Sequence, residues 1–201
     1  MFSVPWFTVC VIALCLLTFS LDLFSWLAYE RQAADQEWRF VTASLAHYNV
    51  THLLTNMLAL GCLGMIFERD WGAGRFAILV LAASLGCTLC VHLFVPDCAR
   101  FAGISGINYA LITFLLGRYL LQRPITFGLC AVLLYLYQSV LVTGEPMQGL
   151  TPVPVWQAHL CASLIGLSFR YITDGLRHIA TQPEPILPGS HPTEKDTQPC
   201  A

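Results

Sequence analysis

Charge is scarce in this 201-residue chain: 10 Lys and Arg and 12 Asp and Glu make up 11% of it, against 56% hydrophobic residues. That balance is too apolar for a water-soluble globule of one domain's length and makes the bilayer the solvent. The basic residues are scattered singly and the net charge is −2, so the stripe that a phosphate backbone demands is missing and nucleic acid is not an expected partner. Neither a His-Glu-x-x-His string nor a carboxylate cluster occurs, so no metal is expected. His47 and His52 come nearest to a ligand pair, and a spacing of five puts their rings on different helix faces. Alternating segments of about ten residues, the mark of a membrane barrel, are absent as well. The nine cysteines do not form a loop framework. Cys10, Cys15, Cys62, Cys87, Cys90, Cys130 and Cys161 lie within apolar runs and Cys200 in a polar tail, where they read as small fillers, and Cys98 has no partner in its loop. The first apolar run has no basic n-region and no small-x-small cleavage site, which favours a retained span over a signal peptide.

Six apolar runs stand between charged or Pro/Gly-rich breaks, at 6–27, 51–67, 76–95, 104–117, 125–143 and 155–172. Without water to satisfy the backbone such runs must be helices, so the fold class is all-α: a polytopic bundle of six helices with a short, central fourth one. Arg31, Arg39 and Arg100 flank one side of the spans, and Arg69, Arg75, Arg118, Arg123, Arg170, Arg177 and Lys195 the other, which predicts both termini in the cytoplasm; the expected location is the cell (inner) membrane. Residues 176–201 are rich in Pro, Thr, Gln and charge and read as a disordered tail. The loop over 29–50 mixes Trp38, Phe40 and Leu45 with charges, is too polar to span, and belongs in the outer interface. Glu68 ends the second span where its charge opposes the helix dipole, so Arg69 or Arg75 is its expected partner. His92, His178 and His191 look incidental.

A buried polar residue in a bilayer needs a reason. His52, Asn56, Ser105 and His159 stand out, and their depths match. At ~1.5 Å of rise per residue Ser105 lies about 20 Å above Arg118, His159 about 16 Å above Arg170, and His52 and Asn56 about 24 and 18 Å above Glu68. A hydroxyl, two imidazoles and an amide at one level are what acyl transfer requires. His159 can take the Ser105 proton, while His52 and Asn56, four residues apart on one helix face, can donate to an oxyanion beside the Ser105 N–H. No acidic residue is placed to orient His159, so the expected device is a pair rather than a triad. Each residue also has a plainer reading: Gly103, Ser105 and Gly106 as a small-residue packing string, His52, Asn56 and His159 as interhelical hydrogen-bond formers, Tyr109 as a buried aromatic.

Over about two thirds of the chain, from Trp38 to Tyr171, these residues resemble the rhomboid intramembrane proteases. The resemblance is carried by Trp38-Arg39, by His47-x4-His52-x3-Asn56, by Gly64-x3-Glu68-x3-Gly72, by Gly103-x-Ser105-Gly106 with Tyr109-Ala110, and by Ala158-His159 with Gly166. It implies a serine endopeptidase without cofactor that cuts transmembrane protein substrates near the external face. Ser105 and His159 would be the dyad, with His52 and Asn56 in the oxyanion hole and Tyr109 stacked on the base. Ala162 departs from the pattern, standing where rhomboids often have a glycine, and is expected to hold the fourth and sixth helices slightly apart. Tyr29-Glu30-Arg31 and Glu37-Trp38-Arg39 also resemble the rhombosortase branch, whereas Asn108-Tyr109 looks like an ordinary rhomboid. A non-proteolytic rhomboid-like adaptor is the alternative, although such relatives usually lack the serine or the histidine.

Overall fold

Two helices of 22 residues each, α4 (Val50–Trp71) and α5 (Ala73–Phe94), are about 33 Å long at ~1.5 Å per residue, enough to cross a ~30 Å hydrocarbon core. Asn49 starts α4 by accepting the backbone N–H of His52 at 2.7 Å, an N-cap that fixes where the His52 face begins. Gly72 joins the two helices at φ +83°, a left-handed conformation that a Cβ would disfavour. The computed structural model describes residues 4–120, 125, 129 and 156–180. With α1 (Trp6–Ser20), α6 (Ser105–Leu120) and α7 (Trp156–Ala180), these helices form a membrane bundle. The fifth run, 125–143, lies outside the described residues apart from its positions 125 and 129, as does the tail beyond 180. Helix α7 runs on to Ala180, through the first residues of the segment expected as tail.

The first apolar run is not one helix. Leu23 donates to the Thr18 carbonyl at 3.0 Å and Asp22 to that of Phe19 at 3.1 Å, with Asp22 at φ +52°. This paired closure ends α1, because a short polar residue tolerates the left-handed position. A four-residue helix, α2 (Phe24–Leu27), follows.

Order in the 29–50 loop comes from arginines that collect stray carbonyls. β1 (Tyr29–Glu30) pairs antiparallel with β2 (Arg100–Phe101), a two-stranded ladder the apolar pattern does not announce. Arg100 bonds Glu30 at 2.8 Å across it. Arg31 then donates to the carbonyls of Val91 (2.9 Å), His92 (3.0 Å) and Val95 (2.9 Å), capping the C-terminus of α5 with a charge that suits its dipole. Arg39 opens α3 (Arg39–Thr42) and, though buried, donates to Ser25 O (2.8 Å) and Ala28 O (2.6 Å). His92, incidental in the sequence, bonds the buried Tyr29 hydroxyl at 2.7 Å.

Glu68 has partners the sequence did not announce, on the first turn of α1. Its carboxylate accepts Phe7 N (2.9 Å), Thr8 N (2.8 Å) and Thr8 Oγ1 (2.8 Å). The first N–H groups of α1 have no side-chain cap of their own, so a carboxylate from α4 fills that role, where the α1 dipole favours a negative charge. Gly64 lets this happen: a Cβ there would sit 2.9 Å from Thr8 Cγ2. At the same end Phe67, Phe76, Phe114 and Trp71 pack ring on ring. The guanidinium of Arg170 lies 4.9 Å from the Trp71 ring centroid and that of Arg177 3.5 Å from it, cation–π contacts that join α7 to α4.

Candidate active site

At the opposite end, α6 begins below the loop. Gly103 adopts φ +119°, and its N–H donates to Ala43 O at 2.9 Å. A Cβ on Gly103 would lie 2.6 Å from His52 Cε1 and 2.9 Å from Nε2. The glycine thus serves both the backbone turn and the close seat of the His52 ring. Ser105 is the first residue of α6, and the first intrahelical bond there is Asn108 N to Ile104 O, 3.2 Å. The N–H groups of Ser105, Gly106 and Ile107 therefore precede the helical ladder, at its positive end.

Ser105 Oγ lies 3.0 Å from His159 Nε2, joining α6 to α7. The Tyr109 ring is stacked on the His159 ring, with centroids 4.6 Å apart and planes 21° from parallel. One turn separates Ser105 from Tyr109, so serine and ring share a face of α6 and hold the imidazole from its edge and its flat side. The helices approach this closely because Gly166 faces Ala110: a Cβ there would run into Ala110 O and Thr113 Oγ1. Thr113 Oγ1 also bonds Ser163 O across the crossing at 2.9 Å. Ala162, expected to hold the pair slightly apart, lies at this crossing. It is fully buried, and a Cβ on Gly106 would meet its methyl at an ordinary 3.8 Å. The tighter neighbour of Gly106 is the Cys87 thiol.

Asn56 and His52 are buried on one face of α4. Asn56 Nδ2 donates to His52 O at 2.9 Å, and Asn108 Nδ2 donates to Asn56 Oδ1 (3.1 Å) and Asn56 O (3.2 Å). One amide hydrogen of Asn56 is thus taken by its own helix and the second is open to another acceptor. Asn108 is the residue the sequence reading missed as a positioning group. Its signal was available: a buried amide three residues after Ser105, on the helix beside α4. His52 Nδ1 and His47 Nε2 are buried without a hydrogen-bond partner.

The His47 and His52 rings lie 5.3 Å apart, contrary to the expectation that their spacing separates them. That expectation assumed a helix, yet α4 starts only at Val50, and the turn before it folds His47 back. Tyr48 stacks on His52 at 5.6 Å and 19°. Burial, with a smaller contribution from His52, pushes the His47 imidazole down to about 3, opposed weakly by the Leu45 carbonyl. His47 is therefore neutral at ordinary pH. Among the described residues no group of three or more His, Cys, Asp or Glu comes together.

Comparison with known proteins gives the same grouping. The rhomboid domain model matches residues 34–174. The chain is 30% identical over 92 residues to the rhomboid protease GlpG of Photorhabdus laumondii, covering 45% of this chain and 32% of that protein. It is 36% identical over 74 residues to the rhomboid protease GluP of Bacillus subtilis, 37% and 14% of the two chains. Against GlpG of Yersinia pestis it is 29% identical over 112 residues, 55% and 40%. The chain thus spans well under half the length of these curated relatives. The matched domain holds every element that builds the Ser105–His159 contact, and this chain belongs to the rhomboid family of polytopic helical membrane proteins.

Proposed function

We propose that this protein is an intramembrane serine endopeptidase, with Ser105 as nucleophile and His159 as general base. The observation that carries the reading is the 3.0 Å contact between Ser105 Oγ and His159 Nε2, with Tyr109 stacked on the base. Nε2 accepts the hydroxyl proton as Oγ attacks the scissile carbonyl, then returns it to the leaving amine. The charge that develops on the carbonyl oxygen is met by the Ser105 N–H at the α6 N-terminus, the open hydrogen of the Asn56 amide and the His52 ring. Hydrolysis of the acyl-enzyme by water completes the cycle. No cofactor enters.

Substrates are transmembrane segments of other proteins, cut near the external face, because Ser105 lies at the end of the bundle away from the arginine-rich Trp71 end. That arrangement also supports cytoplasmic termini, in a cell (inner) membrane. Tyr29, Glu30 and Arg31 hold the ladder and the α5 terminus, which accounts for these residues without a specialised substrate class.

The test is labelling by a fluorophosphonate serine probe together with cleavage of a transmembrane reporter, in wild type, Ser105→Ala and His159→Ala. Labelling and cleavage in the wild type, lost in both variants while folding is kept, is expected. Cleavage that survives Ser105→Ala would overturn the assignment. A folded wild type that binds transmembrane clients without labelling or cutting them would point to the adaptor reading.

A further inference from the structure

Three thiols meet on the seam between α5 and α7. Cys87 Sγ donates to Ala158 O, Cys90 Sγ to Gln157 O (both 3.4 Å) and Cys161 Sγ to Gly86 O (3.5 Å). The last two contacts are reciprocal. Gly86 stands one helical turn before Cys90 and Gln157 one turn before Cys161, so each thiol reaches the carbonyl to which the other cysteine's own N–H belongs. Gly86 keeps the helices close at this level, since a Cβ there would run into the Ile165 side chain. Both cysteines are free and half-buried, whereas Cys87 is buried against Gly106. Cys90 is four residues from the end of α5 and Cys161 five from the start of α7, depths of about 6 and 7.5 Å. They sit shallowly, at the end of the bundle that carries Ser105.

We propose that Cys90 and Cys161 form an oxidisable dithiol, a modification site at which a disulfide-bearing oxidant converts the pair into a covalent staple between α5 and α7. One thiol loses its proton and attacks the oxidant's disulfide, giving a mixed disulfide and releasing one oxidant thiol. The second thiol, deprotonated in turn, attacks the mixed disulfide and releases the other. Two S–H bonds break, one S–S bond forms, and the two electrons and two protons leave on the oxidant as two thiols. The two side chains already reach across the seam in reciprocal contacts while Ser105 and His159 are in contact, so the staple closes the seam in the state that holds the dyad. It shortens the unfolded chain's freedom across 70 intervening residues, which favours the folded state. The assignment is independent of activity at Ser105.

The full chain in detergent is incubated with oxidised glutathione and, in parallel, with the membrane-permeant oxidant diamide, then alkylated, digested and mapped by mass spectrometry. The expected product is a peptide carrying Cys90 joined to one carrying Cys161, two hydrogens lighter and released by reductant. It should come with a higher unfolding midpoint that Cys90→Ser and Cys161→Ser abolish and Cys87→Ser keeps. Recovery of Cys90 and Cys161 as free thiols under both oxidants in the folded chain would overturn the proposal. So would loss of the linked peptide in Cys87→Ser, or a link that leaves the midpoint unchanged.

Discussion

The His159 imidazole is held at its edge by Ser105 Oγ and on its flat side by Tyr109, and no carboxylate shares in either contact. Orientation by stacking leaves the ring free of a fixed counter-charge. Asn56 is placed differently, through a chain of amides: its Oδ1 accepts from Asn108 and one N–H is bound to its own helix. If the other N–H meets the oxyanion, Asn56→Ala should lower kcat by about 10²–10³ with KM little changed. A fall in the thermal midpoint that fully explains the lost activity would assign Asn56 to packing alone. His47 supplies a pH test. Its folded value is about 3 against about 6.5 for a solvated imidazole, so at low pH the unfolded state binds a proton that the folded state refuses. Its contribution to stability is full above about 6.5 and drains away as pH falls toward 3. The thermal midpoint should drop over that window, and His47→Gln should make the drop shallower; an unchanged slope would mean that the ring is solvated.

Between elements, the structure reads the Gly64, Glu68 and Gly72 spacing as a single joint. Gly64 admits α1, Glu68 caps it, and Gly72 turns the chain into α5. Removing the carboxylate leaves the Phe7 and Thr8 N–H groups without their acceptor, so Glu68→Ala should cost about 1–3 kcal/mol of stability. Cleavage per folded molecule should stay near the wild-type level, because the joint lies at the end of the bundle away from Ser105. Equilibrium unfolding in mixed micelles measures the first quantity, and a midpoint equal to wild type would show that water caps α1 equally well. The apolar pattern foretold the helices α4 to α7 in kind and place, because burying a backbone in lipid allows little else. It overran α1, since Asp22 looks like one polar residue in an apolar run until its left-handed turn is seen.

Across the whole molecule, Arg69 and Arg75 follow or flank the α4–α5 turn while Arg170 and Arg177 sit over Trp71 at the same end. This clustering is the basis for placing that end in the cytoplasm. A fluorescent protein fused after residue 201 should fold and fluoresce, and alkaline phosphatase fused there should stay inactive; the reverse pattern would invert the orientation. In the expected orientation Ser105 opens toward the outside.

The sequence alone determined the solvent, the helical class and the level of the four polar residues, because apolar run length and helical rise are local quantities that need no partner. It also singled out Ser105 and His159 as the pair. Only the tertiary structure decided who touches whom: Glu68 with the start of α1, His47 folded beside His52, Asn108 bonded to Asn56, and Cys90 and Cys161 reaching across the α5–α7 seam. Those contacts depend on how helices distant in sequence cross, and a crossing is set by where small residues such as Gly64, Gly86 and Gly166 let backbones meet, information that no periodicity along one chain segment contains.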